Sequence, residues 1–343
     1  MTVESARIGI LGGGAWGTAL AIHLSGRGVP VGLWIHEDDL VERMRQRRDN
    51  PIYLPGHEVP ALVVPTGRVD EAVSGVALAV LAVPSPFARE VYRRLAPSLG
   101  SGVPVVVATK GIEEETLLLP TQVAAACLPA GTPVAALSGP SFAEEVARGV
   151  PTAVVAAAAD PAVAATVQSL LSGETLRLYT TGDVVGVQVA AALKNVVAIA
   201  AGIVDGLGLG HNTAAALITR GLAEMRRLGV AMGASGETFA GLSALGDLVL
   251  TCTGSLSRNR QVGRALGRGE RLRDVTARMR HVAEGVGTTR SAWHLARRHD
   301  VTMPIVDEVH RILYEEGDPA AAVRRLMTRP LGAEEPAGLR EQP

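Results

Sequence analysis

The chain is predicted to be an α/β protein: a doubly wound sheet in its first half, followed by an all-helical second half. Three observations predict this. Short β-branched runs alternate with helical patterns as far as about residue 183; a glycine-rich turn joins the first such run to the first helix; and the strand pattern stops after Asp183. At 343 residues the chain is long enough to bury a sizeable core and to form two domains.

Taken in order, residues 7–11 read as a strand and 15–26 as a helix, then 29–34 as a second strand and a charged helix running through Arg48. Residues 77–83 and 103–108 are continuous apolar runs of strand length, the pattern of parallel strands covered on both faces. Helical patterns at 86–99 and 116–128 intervene, and 133–137, 152–158 and 176–179 are further strands. Such alternation is the mark of a doubly wound domain. Beyond Asp183, residues 184–204, 213–228, 257–267, 288–298, 305–315 and 320–327 all carry helical patterns. The change of character divides the chain into residues 1–183 and 184–331, with a polar, proline-containing tail at 332–343 expected to fray. The alanine-rich stretch 153–165 is apolar enough to pack rather than to serve as a linker.

Composition narrows the function. A hydrophobic share of 47% with 20% charged residues is an ordinary globular balance, and a formal charge of -1 implies no general pull toward nucleic acid or an anionic membrane. Any anion site must be local. Two cysteines, Cys127 and Cys252, cannot form a disulfide framework and fit a reducing, cytoplasmic setting. No basic and apolar leader precedes the first strand, so a signal peptide is not expected. The most apolar stretch, 184–204, is interrupted by Gln188, Lys194 and Asn195 and reads as a buried core helix, with no stable membrane insertion. The histidines are scattered without zinc-type spacing, so no metal is expected, and Cys252, with no base beside it, reads as structural.

Gly12-Gly13-Gly14-Ala15-Trp16-Gly17 fits G-x-G-x-x-G directly after a strand and opens a helix. The fingerprint assigns Gly12 to a tight turn, Gly14 to close approach of a pyrophosphate and Gly17 to close helix–strand packing, with the helix N-terminus facing the phosphates. This is a Rossmann-type dinucleotide site for NAD or NADP. The second glycine-rich run, 206–210, follows a helix and lacks the last glycine, so it reads as an interhelical turn. At the end of the second strand His36 and Glu37 stand where a ribose or a 2′-phosphate would lie, which leaves the two cofactors unseparated.

Lys194 sits in a helix that is apolar on nearly every side. Lysine is seldom fully buried unless paired, so three readings stay open here: an adjustable proton donor for carbonyl reduction, a side chain snorkelling to the surface, or a structural ion pair. Lys110 lies just beyond a strand's carboxyl end, where open α/β sheets bind ligands. Ser141 and Glu144 have capping-box spacing after another strand. Ser257, Arg258 and Asn259 at an expected helix start suit a phosphate, the arginine offering a planar fork and the helix terminus its N–H groups.

Together and in order these segments resemble the bacterial NAD(P)-dependent glycerol-3-phosphate dehydrogenases over about residues 7 to 327. The carrying pieces are GGGAWGTALA at 12–21, YLPG at 53–56, ATKG at 108–111, SGPSFAEEV at 138–146, LKNV at 193–196, ALITRGLAEM at 216–225, GDLVLTCTG at 246–254, SRNRQVG at 257–263 and EGVGTT at 284–289. The resemblance implies interconversion of dihydroxyacetone phosphate and sn-glycerol 3-phosphate with NAD(P)H, serving phospholipid synthesis, with a homodimer among the possible assemblies. It implies that Lys194 transfers the proton, with Asp247 holding it. Lys110, Gly139, Ser141, Lys194, Asp247, Thr251, Ser257, Arg258 and Asn259 are then expected at the substrate. Besides the loop glycines, Ala15, Trp16, His36, Lys110, Ala143, Arg258, Val282 and Glu284 are expected at the cofactor. Ala15 stands where the family often carries serine, and Ile35 is bulkier than the residue common at its position. Two alternatives remain: a related dehydrogenase acting on a carboxylated hydroxyacid, and a nucleotide-sensing protein without chemistry.

Overall fold

The computed structural model describes residues 6–279 and 283–331. In chain order its first part comprises β1 (Ile8–Leu11), α1 (Ala15–Gly26), β2 (Val31–Trp34), α2 (Asp38–Arg47), β3 (Asp49–Asn50), β4 (Leu54–Glu58), β5 (Val63–Thr66), α3 (Val69–Val73), β6 (Leu78–Leu81), α4 (Ser85–Leu95), β7 (Val105–Val107), α5 (Pro120–Cys127), β8 (Val134–Ser138), α6 (Ala143–Ala147), β9 (Thr152–Ala157), α7 (Pro161–Leu171) and β10 (Leu176–Thr181). The second part is helical: α8 (Val184–Gly206), α9 (Gly210–Ala231), α10 (Asp247–Thr253), α11 (Arg258–Gly267), α12 (Leu272–Arg278), α13 (Glu284–Arg298), α14 (Pro304–Tyr314) and α15 (Pro319–Met327).

Eight strands form one sheet in the order β10-β9-β8-β7-β6-β1-β2-β5. All neighbours are parallel except β8 and β9, which pair antiparallel with Leu137 opposite Ala156. Strands β1, β2, β6 and β7 are buried at every residue, as continuous apolar runs between two helical layers must be. Between β1 and β6 the connections change direction, so a crevice opens at the carboxyl ends of the central strands, the usual ligand position in such sheets.

The sequence reading missed the β3–β4 hairpin, β5, α3 and several short helices. Strand β5 contains Pro65, which demotes a run as strand, yet it sits at the sheet edge, where a missing N–H is tolerated. The helix expected from 116 starts only at Pro120: Glu113 N–H donates to Leu118 O and Leu117 N–H to Glu113 O, and Leu117 has φ 60, closing a tight turn instead. The alanine-rich stretch splits at Asp160, whose carboxylate accepts from Ala162 N–H and starts α7 after β9. The run 206–210 is a turn between α8 and α9, as expected. The tail at 332–343 lies outside the described residues.

Helix α8 is the axis of the second part. Among the described residues it is the one helix long and apolar enough to cross a membrane, and that apolar window is wholly buried inside the fold. It packs backbone-close against α11: a Cβ on Gly202 would meet Arg260 O at 2.1 Å, and one on Gly263 would meet Ile199 O at 1.9 Å. Only glycine permits this approach, and it brings the start of α11 beside Lys194 on α8.

Candidate active site

The glycine turn is built for close approach. Gly12 has φ +126, and a Cβ there would lie 2.4 Å from Ala82 O; a Cβ on Gly17 would lie 1.9 Å from Gly12 O. Gly14 is different, with nothing within 4 Å of its would-be Cβ. It caps α1 without a side-chain hydrogen bond, so no side chain satisfies the first-turn N–H groups. That is the cradle a pyrophosphate needs. Asn50, which sequence reasoning missed, braces it by donating to Gly13 O and Thr18 Oγ1, both at 2.9 Å. No local motif marks Asn50, because it reaches the turn from the hairpin. Trp16 and Ala143 pack into one small cluster with Leu54, which places α6 against the turn. His36 is exposed at the end of β2, Ile35 is fully buried against Gly13, and Glu37 accepts from Tyr53 Oη at 2.6 Å.

Deeper in the crevice, Lys194 does not snorkel. Its residue is 6% exposed, and Nζ donates to Asp247 Oδ1 at 2.5 Å and to Thr251 Oγ1 at 2.9 Å. Lys110 arrives from the loop after β7 and donates to Asp247 Oδ2 at 2.8 Å. Asp247, only 1% exposed, therefore bridges two ammonium groups. Burial pulls Lys194 down to about 8 and Lys110 adds to the fall, while Asp247 opposes it. Burial works against the Asp247 carboxylate, but Lys110 and Lys194 outweigh it and hold its pKa below the usual value. Two cations and one anion leave this centre net positive, a setting that favours negative charge developing on a bound oxygen.

Around this centre the expected residues fall into two groups. Arg258 opens α11, is exposed, and makes no hydrogen bond or ion pair with the described residues. The Ser257 hydroxyl is committed to capping α11, accepting from Arg260 N–H at 3.3 Å. The Asn259 side chain is likewise committed: Nδ2 donates to Asn195 Oδ1 at 2.9 Å, and Oδ1 accepts from Gly285 N–H at 3.0 Å. α11 offers an anion the Arg258 fork and the N–H groups of its first turn, while the Ser257 hydroxyl, which accepts in its cap, and the Asn259 amide, which donates once, each keep a further N–H or O–H to give. Glu284 begins α13, and burial raises its pKa against the nearby charges of Arg258, Lys110 and Lys194.

The capping box expected of Ser141 and Glu144 does not form. Phe142 is the N-cap of α6 and makes no side-chain cap, and Ser141 Oγ instead donates to Gly139 O at 3.0 Å. Gly139 has φ +147, with a Cβ there 2.8 Å from Val154 Cα, and α6 begins only at Ala143, so its N-cap is Phe142 rather than Ser141. The segment still flanks α10, with Pro140 3.6 Å from a would-be Cβ on Gly246 and Phe142 2.5 Å from one on Gly254. Val282 lies outside the described residues. Cys252 is buried, and burial pushes its thiol up to about 12, an inert setting.

The family model for the N-terminus of NAD-dependent glycerol-3-phosphate dehydrogenase matches residues 7–164, and the model for its C-terminus matches residues 183–324. The chain belongs to the NAD-dependent glycerol-3-phosphate dehydrogenase family. Relatives within this dehydrogenase family are close. The glycerol-3-phosphate dehydrogenase [NAD(P)+] of Geobacter sulfurreducens is 56% identical over 96% of this chain and 99% of its own length. That of Geobacter metallireducens is 54% identical over 96% and 98%. The crystal structure of glycerol-3-phosphate dehydrogenase from Coxiella burnetii superposes with a TM-score of 0.91 at 40% identity, covering 95% of this chain and 100% of that one.

Proposed function

We propose that this chain is an NAD(P)-dependent dehydrogenase that interconverts dihydroxyacetone phosphate and sn-glycerol 3-phosphate, supplying the latter for glycerophospholipid synthesis. Family membership supports the reaction. The observation that carries the chemistry is the buried Lys194, held by Asp247 and flanked by Lys110, beside the Arg258 end of α11. The reading divides the chain into residues 1–183 for the dinucleotide and 184–331 for the substrate.

The turn Gly12, Gly14 and Gly17, with the first-turn amides of Ala15 and Trp16, would hold the dinucleotide, and His36, Ala143, Lys110, Arg258, Val282 and Glu284 would complete its contacts. The open space over Gly14 fits that group. When bound, the nicotinamide supplies the hydride. Arg258 and the first-turn N–H groups of α11 bind the substrate phosphate, and Lys110, Gly139, Ser141, Thr251, Ser257 and Asn259 shape the remaining walls. Lys194 enters as an ammonium, hydrogen bonds to the carbonyl oxygen and polarises it. As that oxygen becomes an alkoxide, Lys194 gives it a proton from Nζ and is left as a neutral amine. A pKa of about 8 suits both halves of this step: the group is charged at neutral pH, and its burial makes the neutral product amine tolerable. Asp247 holds the amine in place throughout, and water refills its proton after product leaves.

The same reading carries a cytoplasmic enzyme with small-molecule substrates, no nucleic-acid partner and no inserted span, with a homodimer the assembly to look for. Complete burial of α8 within the fold supports the absence of a span. The test is Lys194→Met assayed by loss of reduced-cofactor absorbance with dihydroxyacetone phosphate. Turnover should fall by about 10²–10⁴-fold, the usual worth of a positioned general acid, with cofactor affinity intact. A variant retaining near-normal turnover would remove Lys194 from this role.

A further inference from the structure

Lys110 reaches Asp247 from a stretch without regular structure. The residue after it, Gly111, has φ +130, with Ser85 Oγ 2.8 Å from its would-be Cβ, so the chain bends sharply just past the lysine. A long side chain on such a segment holds its position only if the segment is tied down on both sides. Upstream, Tyr92 Oη donates to Thr109 Oγ1 at 3.0 Å, and Thr109 Oγ1 donates to Val83 O at 2.8 Å. Downstream, Arg89 makes a two-point contact with Glu113: Nε donates to Oε1 at 2.8 Å and Nη2 to Oε2 at 2.6 Å. Arg89 and Tyr92 are three residues apart on α4 and so lie on one helix face. Ser291 Oγ on α13 adds a longer bond to Ile112 O at 3.3 Å.

We propose that Arg89, through its paired grip on Glu113, is a positioning residue that holds Lys110 against Asp247. The inference rests on the proton-transfer reading of Lys194 and deepens it. Arg89 does not itself touch the centre. Its pair with Glu113 is part-buried, with side chains 27% and 16% exposed, and a bidentate guanidinium–carboxylate fork fixes direction as well as distance. When the grip is lost, the loop is free to pivot at Gly111 and Lys110 to withdraw. Asp247 then answers to Lys194 alone, and Lys194 is rid of a like charge. The titratable and charged groups facing Lys194 are Asp247 and, more distantly, the neutral Cys252 thiol on α10, Lys110 on the loop, and Glu284 on α13, with Arg258 on α11 beside Glu284. Of these, only Lys110 lies on the loop that Arg89 grips. Its withdrawal strengthens the hold of Lys194 on its proton.

The test is the pH profile of kcat for dihydroxyacetone phosphate reduction at saturating cofactor, in Arg89→Met and Glu113→Gln. The expected result is a rate about tenfold lower, with the basic limb moved upward by about half a pH unit, as withdrawal of a nearby like charge requires. Arg89→Lys, which keeps one charge-assisted contact, should lie between them and the parent. In a Lys110→Met background, Arg89→Met should move the limb no further. Should Arg89→Met fail to fold, Glu113→Gln, which keeps a hydrogen-bonding group of the same shape, carries the measurement. A limb that stays in place in both variants while Lys110→Met moves it overturns the positioning role. So does an undiminished shift in the Lys110→Met background. A limb that ignores Lys110→Met, or activity that survives Lys194→Met, instead refutes the proton-transfer reading on which the inference rests.

Discussion

Asp247→Asn removes the single negative charge between two ammonium groups and keeps the side chain's shape. Asp247 lies 2.5 Å from Lys194 Nζ and 2.8 Å from Lys110 Nζ, and is buried. At an effective dielectric near 20, a charge pair about 4 Å apart is worth about 4 kcal/mol, in line with the 3–5 kcal/mol lost when one partner of a buried pair is deleted. At 1.36 kcal/mol per pH unit this is a fall of about three units in the Lys194 pKa. The parent group titrates at about 8. The variant amine should therefore titrate near 5 and carry its proton in only about one molecule in a hundred at pH 7. The rate of reduction should fall about 100-fold at pH 7 and recover as pH is lowered toward about 5, whereas the parent rate declines only as pH rises through about 8. Single-turnover oxidation of bound reduced cofactor, followed by absorbance across pH, isolates this step from product release. A variant whose rate at pH 7 is within a few-fold of the parent's, or whose loss does not ease in acid, would show that the proton does not come from an amine held by Asp247.

Arg258→Ala should raise the KM for dihydroxyacetone phosphate by an amount equivalent to about 1.5–3 kcal/mol, the worth of a charge-assisted contact, and inorganic phosphate should lose its inhibition in parallel. An unchanged KM would move the phosphate site elsewhere. Among the loop glycines, Gly14→Ala has open space for its Cβ, so the thermal midpoint should hold while cofactor affinity drops; Gly17→Ala, whose Cβ would lie 1.9 Å from Gly12 O, should lower the midpoint itself. Equal effects of the two on stability would contradict the assignment of Gly14 to ligand approach. Glu224 on α9 accepts from the N–H groups of Ile305 and Val306 at the start of α14, and burial raises its pKa from 4.5 to about 7 despite those donors. Its folded pKa exceeds its unfolded one, so its contribution to stability is complete below about pH 4.5 and is lost as pH rises through about 7, up to about 3 kcal/mol in all. Urea unfolding at pH 5 and pH 8 should reveal the difference, and Glu224→Gln should shrink it; a variant with the parent's pH dependence would assign that dependence to other groups.

Local chemistry made much of the site legible before folding. The glycine turn announces itself because each glycine meets a constraint within a few residues of chain, and α1 begins where the pattern put it, at Ala15. Lys194 stood out because an ammonium in an apolar helix demands a partner. The partner itself was not legible from spacing: Asp247 is 53 residues away on a short helix, with only the resemblance to point at it. Ser257, Asn259 and Ser141 show a second limit of local reading. Their residue types suited a ligand, but their hydrogen-bonding groups are partly engaged with the protein itself, two in capping or bracing α11 and one in closing the turn at Gly139.

What the sequence determined alone is whatever depends on neighbours along the chain: strand and helix periods, the phosphate-type turn, the start of α11 just after Ser257, and the presence of an awkward lysine. Tertiary structure decided the rest. The pairing of Lys110 with Lys194 across one carboxylate, the bracing of the turn by Asn50 and the grip of Arg89 on the Lys110 loop all join segments distant in sequence. The physical reason is burial. Charges that would be independent and hydrated in an open chain must, once withdrawn from water, find each other, and which ones meet is set by how α8, α10 and the end of β7 pack.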